Sequence, residues 1–173
     1  MSLPWKLATW ALVCLGSVVA EAQQADQLLA ARVLGPQWKK MVHTAGMVFS
    51  GTVVSVEAAS ARDQAVLTIQ VTLQVDHAIA GVETGQVLTI REWAGAWSMH
   101  RPMHTGEHVL LLLYPQSSLG LTSPVSGALG QIALDTSGTK VAVPRQERKT
   151  WDTQRTEISV LQLERAIRTA RRE

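Results

Sequence analysis

The stretch from Arg91 to His108 holds most of the side chains in this chain that could do chemistry. It contains three of the five histidines, spaced four residues apart: His100, His104 and His108. On a helix this spacing would place three imidazoles on one face, but Pro102 and Gly106 disfavour a helix there. In an extended segment, residues four apart lie roughly 13 Å apart, whereas zinc needs each nitrogen at about 2.0–2.1 Å. A metal site on these histidines therefore requires the segment to fold back on itself.

The same stretch carries residue types that dominate the binding energy of protein interfaces, Trp and Arg. Trp93, Trp97 and Arg101 are therefore the candidate partner-binding residues. The alternative for both tryptophans is a place in the core or over its end. The chain has one Phe and one Tyr, so Trp is the main large core filler available. The sequence leaves both interpretations open.

The sequence contains none of the common catalytic motifs that can be recognised by spacing. There is no Gly-x-Ser-x-Gly elbow, no phosphate-binding glycine loop and no dinucleotide fingerprint. The serines between residues 117 and 126 lie in a stretch rich in small residues, which is typical of a loop. We therefore assign no catalytic residue and no cofactor, and expect a protein that is not an enzyme.

Residues 1–22 have the pattern of a secretory signal peptide. Lys6 precedes an uncharged apolar run, Leu7–Ala20, that is shorter than the roughly 20 residues of a membrane span. An A-x-A cleavage pattern ends at Ala22. An uncleaved N-terminal anchor is the alternative. Cleavage before Gln23 would remove Cys14, the only cysteine, so we expect a secreted, periplasmic or extracellular protein without disulfides or a stable membrane span.

Hydrophobic periodicity divides the rest of the chain into a helical start and a β domain. Residues 23–44 are rich in helix formers, with Gly35 and Pro36 as a stop signal. Residues 45–143 show the two-residue alternation of strands. The longest strand, Ala65–Asp76, would span roughly 40 Å and must curl in a small domain. Val109–Tyr114 is continuously apolar, which is typical of a strand buried on both faces.

A polar linker and a helix complete the chain. Residues 144–158 are polar and charged, and residues 159–172 have the spacing of an amphipathic helix. Ser159 and Gln162 fit a capping box at its start. With 173 residues, the chain is long enough for one domain. The expected fold is mainly β, a curled antiparallel OB-like barrel of five to six strands with an N-terminal helical segment and a C-terminal α-helix.

The order of these strands resembles the OB-type barrel of the netrin-like and tissue-inhibitor-of-metalloproteinases group. The resemblance spans residues 45–134 and rests on Gly51, Gly81, Gly106, Glu107 and the run Val109–Tyr114. Two further stretches, Arg101–His108 and Leu119–Gly127, resemble secreted bacterial proteins of uncharacterised function. Inhibitors in the first group reach a catalytic zinc through a disulfide-bonded N-terminal cysteine, so no inhibitory residue carries over. The resemblance implies a shared barrel and a metalloprotease as one candidate partner.

The sequence thus favours a secreted, non-enzymatic binding module that contacts another secreted or envelope protein. Two alternatives stay open. One is a metal-binding protein or metal-dependent enzyme that uses His100, His104 and His108. The other is a structural envelope component that a basic C-terminal helix holds to an anionic surface. Nucleic-acid binding is disfavoured, because the formal net charge is only +2 and the predicted strands carry few aromatic residues.

Overall fold

The computed structural model describes residues 23–58, 67–142 and 158–173. The predicted signal peptide, residues 1–22, and all of the predicted linker except its last residue lie outside the described residues. Residues 23–34 are helical and form α1. The later elements, in chain order, are α2 (Trp38–Thr44), β1 (Met47–Ala58), β2 (Thr68–Ala80), β3 (Val87–Trp93), α3 (Ala94–Trp97), β4 (His108–Leu113), a 3₁₀ turn (Gly127–Gly130), β5 (Gln131–Ala133) and α4 (Val160–Ala170).

The five strands form one antiparallel sheet in the order β3-β2-β1-β4-β5. β1 lies at the centre and pairs with β2 on one side and β4 on the other. The register of β1 against β2 shifts at three places along the pair, between Val48 and Phe49, Ser50 and Gly51, and Val53 and Ser55. Bulges of this kind bend a strand and increase its twist. The long β1–β2 pair is therefore bent and twisted at these positions, which curls the sheet.

The sheet is open, which corrects the predicted closed barrel. The two sides of the sheet approach at one point, where the backbone N–H of Thr122 donates to the carbonyl of Arg91 at 2.8 Å. No strand ladder joins β3 to β5 in the part of the chain that the structure describes. One reason is that β5, Gln131–Ala133, is too short to span the gap along β3. The fold is therefore a mixed α/β arrangement, with an open five-stranded antiparallel sheet, N-terminal helices and a C-terminal helix.

Both faces of the central strands are buried, and each face packs into a separate hydrophobic cluster. Leu110 and Leu112 of β4 belong to the cluster formed with α1, α2 and α4. Val109, Leu111 and Leu113 belong to the cluster inside the curl of the sheet. All five of these residues are fully buried. The apolar run therefore forms a strand that is buried on both faces, as the sequence predicted.

The arginines of the C-terminal helix are engaged within the protein. Arg171 donates to the backbone carbonyls of Val42 and Ala45, at 2.8 and 3.0 Å, near the end of α2. Arg165 lies 3.4 Å from the carboxylate of Asp26 in α1. These contacts tie α4 to both N-terminal helices. They also engage two of the arginines on which an interaction with an anionic surface would depend.

The start of α4 differs from the predicted capping box. Ser159 is the N-cap residue, but its side chain makes no capping hydrogen bond. Instead, the N–H of Val160 donates to the carbonyl of Thr139 at 2.9 Å, and Ser159 pairs with Lys140 in an isolated antiparallel bridge. The chain thus enters α4 from an extended segment. Pairing of this segment with residues 139 and 140 gives the first helical N–H a hydrogen-bond acceptor.

A substitution at Gly51 tests the close approach of β1 and β2. A Cβ atom at this position would lie 2.5 Å from the carbonyl oxygen of Gln74, which is backbone and cannot rotate away. We predict that Gly51→Ala lowers the free energy of unfolding by about 1–3 kcal/mol, measured by urea denaturation. Ser55→Ala in the same strand is the control, with an expected change within about 0.5 kcal/mol. Equal effects of the two substitutions would contradict this account.

Candidate functional site

The β3–β4 connection, residues 94–107, lies over the inner side of the curled sheet and is fixed at several points. It starts with α3 and ends against β1. There the N–H of Gly106 donates to the carbonyl of Val53, and the N–H of Val53 donates to the carbonyl of Glu107, both at 2.8 Å. Between these ends, Met103 is buried in the cluster inside the curl. The connection is therefore part of the packed structure rather than a loop extending into solvent.

A buried carboxyl–imidazole pair holds the middle of this connection to the sheet. The Nε2 atom of His100 lies 2.9 Å from Oε1 of Glu92 on β3, and the two side chains are 2% and 1% exposed. The Nδ1 atom of His100 lies 3.3 Å from the carbonyl oxygen of Arg101, which also accepts a hydrogen bond from Gln131 at 2.9 Å. The ring of Trp97 meets His100 edge-on, with centroids 5.4 Å apart. These contacts fix the imidazole in place.

Burial raises the pKa of the Glu92 carboxyl above its ordinary value. The hydrogen bond and the charge of His100 oppose this rise only in part. The second carboxyl oxygen, Oε2, has no hydrogen-bond partner among the described residues. A protonated carboxyl can donate to a neutral imidazole, so the pair can stay hydrogen-bonded without burying two charges.

An ion pair orients Arg101 on the outer side of the connection. Its guanidinium donates to both carboxylate oxygens of Glu107, at 2.8 and 3.1 Å. The backbone N–H of His104 donates to the same carboxylate at 3.1 Å. Partial burial alone would raise the pKa of Glu107, but the hydrogen bonds from Arg101 and His104 together hold it below its ordinary value. The Arg101 side chain stays 49% exposed, so an incoming partner can contact it.

Three large apolar side chains are exposed near the start of the connection: Leu67 at 57%, Trp93 at 53% and Met99 at 81%. We call these three residues the exposed patch. Leu67 and Trp93 lie at one end of the β2–β3 hairpin, where the N–H of Ala94 donates to the carbonyl of Leu67 at 2.9 Å, and Met99 follows α3 in the connection. The ring of Trp93 lies against Gly95, where an added Cβ would come within 2.5 Å of the ring. Large exposed apolar groups on a fixed segment are typical of interaction sites.

The structure places the three predicted partner-binding residues in different environments. Trp93 is exposed. Trp97 is partly buried and packs against the cluster inside the curl, which agrees with the alternative that it is a core residue. Arg101 is exposed but paired. Trp93 and Arg101 are therefore accessible, whereas Trp97 mainly supports the connection from below.

The three histidines of the predicted metal site contact different partners. His100 faces the buried carboxyl described above. His104 is exposed, with its Nδ1 atom 3.3 Å from Glu107. His108 lies on β4, with its Nδ1 atom 3.0 Å from the hydroxyl of Thr52. No three His, Cys, Asp or Glu side chains among the described residues are arranged to hold a metal ion. The structure does not bring the three imidazoles around a common point.

Two hydroxyl groups of β1 lie beside acidic side chains. Ser50 donates to Glu164 of α4 at 2.7 Å, and the same carboxylate oxygen lies 3.3 Å from the Nδ1 atom of His77. Thr52 donates to Asp76 at 2.9 Å. These hydrogen bonds attach α4 and β2 to β1.

Glu92 was not among the site residues predicted from the sequence, although the pattern of β3 indicates it. Leu88, Ile90 and Glu92 alternate on the inward face of β3, with increasing burial along the strand. A glutamate in this register must be buried, and a buried carboxyl needs a polar partner. The exposure of Leu67 and Met99 could not be predicted from the sequence, because an apolar residue near the end of a strand or helix can face either the core or the solvent.

No protein family, characterised protein or solved structure matches this chain. The netrin-like strand order therefore stays a resemblance. Among the described residues, no helix combines the length and apolar character that crossing a membrane would require.

Replacement of Glu92 tests its raised pKa. Between the ordinary value of 4.5 and the raised pKa, the folded state binds more protons than the unfolded state. The stabilisation from this titration is therefore full below pH 4.5 and is lost as the pH rises through the folded-state pKa. We predict that the free energy of unfolding of the wild type minus that of Glu92→Gln falls as the pH rises from 4.5 to the folded-state pKa and is constant above it. Urea denaturation at several pH values measures this difference.

Glu107→Gln is the matched control, because its pKa is shifted in the opposite direction. The stabilisation from Glu107 is present above its ordinary pKa of 4.5 and is lost as the pH falls through its lowered folded-state pKa. The difference between wild type and Glu107→Gln should therefore shrink on acidification. If the two free-energy differences changed in the same direction with pH, the opposite pKa shifts of Glu92 and Glu107 would be contradicted.

Proposed function

We propose that this chain is a secreted, non-enzymatic binding module that contacts another secreted or envelope protein through the β3–β4 connection. The observation that carries the proposal is the exposed patch on a fixed support. Leu67, Trp93 and Met99 stay exposed although they are apolar. The connection beside them is anchored by the buried pair of Glu92 and His100.

The orientation of the exposed side chains supports tight binding. The ring of Trp93 already rests on Gly95, so it loses little conformational freedom when a partner covers it. The guanidinium of Arg101 is likewise held by Glu107. Aromatic and arginine side chains that are oriented before binding are the typical centres of binding energy.

The chemistry of the surface indicates the kind of partner. The exposed patch suits an apolar cleft or protrusion, and Arg101 suits an acceptor at its margin. Since Glu107 already neutralises much of the charge of Arg101, a backbone carbonyl or amide of the partner suits this position as well as a carboxylate does. A secreted metalloprotease is one member of the partner class, suggested by the strand-order resemblance. We propose binding to the partner's surface and no coordination of its metal.

Substitution of Trp93 tests this function. The wild-type protein captures partners from the producing cell's secreted and envelope fraction, and the dissociation constant of each purified partner is then measured. We predict that Trp93→Ala weakens binding by at least about tenfold, because truncation of a central Trp typically costs about 2 kcal/mol or more. Trp97→Ala is a poorer test, since Trp97 also packs against the core.

The matched control is Leu161→Ala on α4, where the side chain is 58% exposed and lies outside the connection. Its affinity should equal that of the wild type. A captured partner that binds wild type and Trp93→Ala equally well would contradict the proposed surface.

A further inference from the structure

β3 is an outer strand of the sheet, and hydrogen bonds at its ends set the direction of its backbone groups. The carbonyl of Gln86 accepts from the N–H of Val75, and the N–H of Ala94 donates to the carbonyl of Leu67. Residues of an antiparallel ladder alternate between facing one neighbour and facing the other. Even-numbered residues of β3 therefore bond to β2, and odd-numbered residues direct their backbone groups away from the sheet.

Within residues 23–58, 67–142 and 158–173, the outward backbone groups of β3 are covered at one end only. The N–H of Thr122 donates to the outward carbonyl of Arg91. None of the described residues pairs with the outward groups of Val87 and Thr89, whose side chains are also exposed. Residues 86–90 contain no charged residue and no proline, which are the usual protections of a strand edge. Among the described residues, the edge at Val87 and Thr89 is therefore unpaired and can accept another strand.

The opposite side of the sheet offers no equivalent edge within the described part of the chain. Beyond β5, pairing continues through isolated bridges from Leu134 to Val141 and from Lys140 to Ser159, which lead into α4. A molecule with one open edge that pairs with a second copy leaves no further edge to extend. Such pairing closes as a twofold dimer and forms no filament.

We propose that β3 pairs antiparallel with β3 of a second copy, across a twofold axis at Leu88. In this register Val87 lies opposite Thr89 of the second copy, and each such pair exchanges two backbone hydrogen bonds. A register centred on Thr89 would instead place the second copy opposite Arg91, whose carbonyl Thr122 already occupies. In the register at Leu88, Arg91 faces Gly85 of the second copy, which precedes β3, so no β3 residue of the second copy pairs with Arg91.

The side chains of this edge are complementary to themselves. Leu88 is partly buried at the margin of the cluster inside the curl, and at the axis it meets Leu88 of the second copy. Gln86 lies opposite Ile90, so no two like charges face each other. This self-complementarity favours a second copy over an unrelated strand. Because the paired segment is short, we expect a weak dimer, with a dissociation constant in about the micromolar to millimolar range.

The dimer is independent of the proposed binding function. Trp93 lies beyond the paired residues, so the exposed patch stays available to another protein. A loss of dimerisation and a loss of partner binding should therefore follow from different substitutions.

Sedimentation equilibrium of the exported protein at increasing concentration tests the proposal. The wild type should dimerise, whereas Thr89→Pro should stay monomeric at every concentration at which the wild type dimerises. Proline removes the outward N–H of residue 89 and leaves the bonds to β2 in place. Thr89→Val retains that N–H and should dimerise like the wild type. A wild type that is monomeric up to about 1 mM, or equal dimerisation by Thr89→Pro, would overturn the proposal.

Disulfide cross-linking tests the register without proline. In a Cys14→Ser background, Leu88→Cys would place two thiols across the axis, with Cα atoms about 4.5 Å apart, within disulfide range. Thr89→Cys would place them diagonally, about 7–8 Å apart, which is too far. Oxidation should therefore link Leu88→Cys and leave Thr89→Cys unlinked. Preferential linking of Thr89→Cys, or no linking of either, would overturn the proposal.

Hydrogen exchange identifies a different occupant of the edge. If the wild type stays monomeric and the amides of Val87 and Thr89 become protected only in a complex with another protein, then that protein's strand occupies the edge. This result would also overturn the dimer.

Discussion

Burying a carboxyl group in an apolar interior costs free energy unless a hydrogen-bonding partner is buried with it. Glu92 imposes this requirement because it follows Leu88 and Ile90 on the inward face of β3. His100 meets the requirement, and His100 belongs to the β3–β4 connection. Placing the imidazole against Glu92 therefore fixes the connection on the sheet. The positions of Met103 inside the curl and of Arg101 and Met99 outside it depend on this pair.

The candidate binding surface is a consequence of how the open sheet completes its core. The sheet curls without closing, so the cluster inside it needs material from elsewhere, and the connection supplies Met103 and part of Trp97. A segment that is packed on its inner side has a fixed outer side. Met99 and the oriented guanidinium of Arg101 lie on that outer side, which is why the fold presents them in a defined geometry.

The sequence predicted the features that depend on local patterns. The apolar run Val109–Tyr114 indicated a strand buried on both faces, and helical spacing indicated α4. The prediction of a closed barrel was wrong. Closure depends on pairing between distant strands and on the length of β5, and no local sequence pattern indicates either. The histidine spacing was uninformative because the three imidazoles contact different partners, Glu92 for His100, Glu107 for His104 and Thr52 for His108.

Amide hydrogen exchange in wild type and Glu92→Leu tests most directly whether the buried pair holds the connection in place. Leucine is apolar and similar in size to glutamate, so it fills the same space but leaves His100 buried without its carboxyl partner. We predict that amides in residues 94–107 exchange at least about tenfold faster in the variant, because an unpaired buried polar group costs about 1–3 kcal/mol. Amides of β1 and β4 should change less. Unchanged exchange in residues 94–107, or an equal acceleration throughout the sheet, would contradict the account.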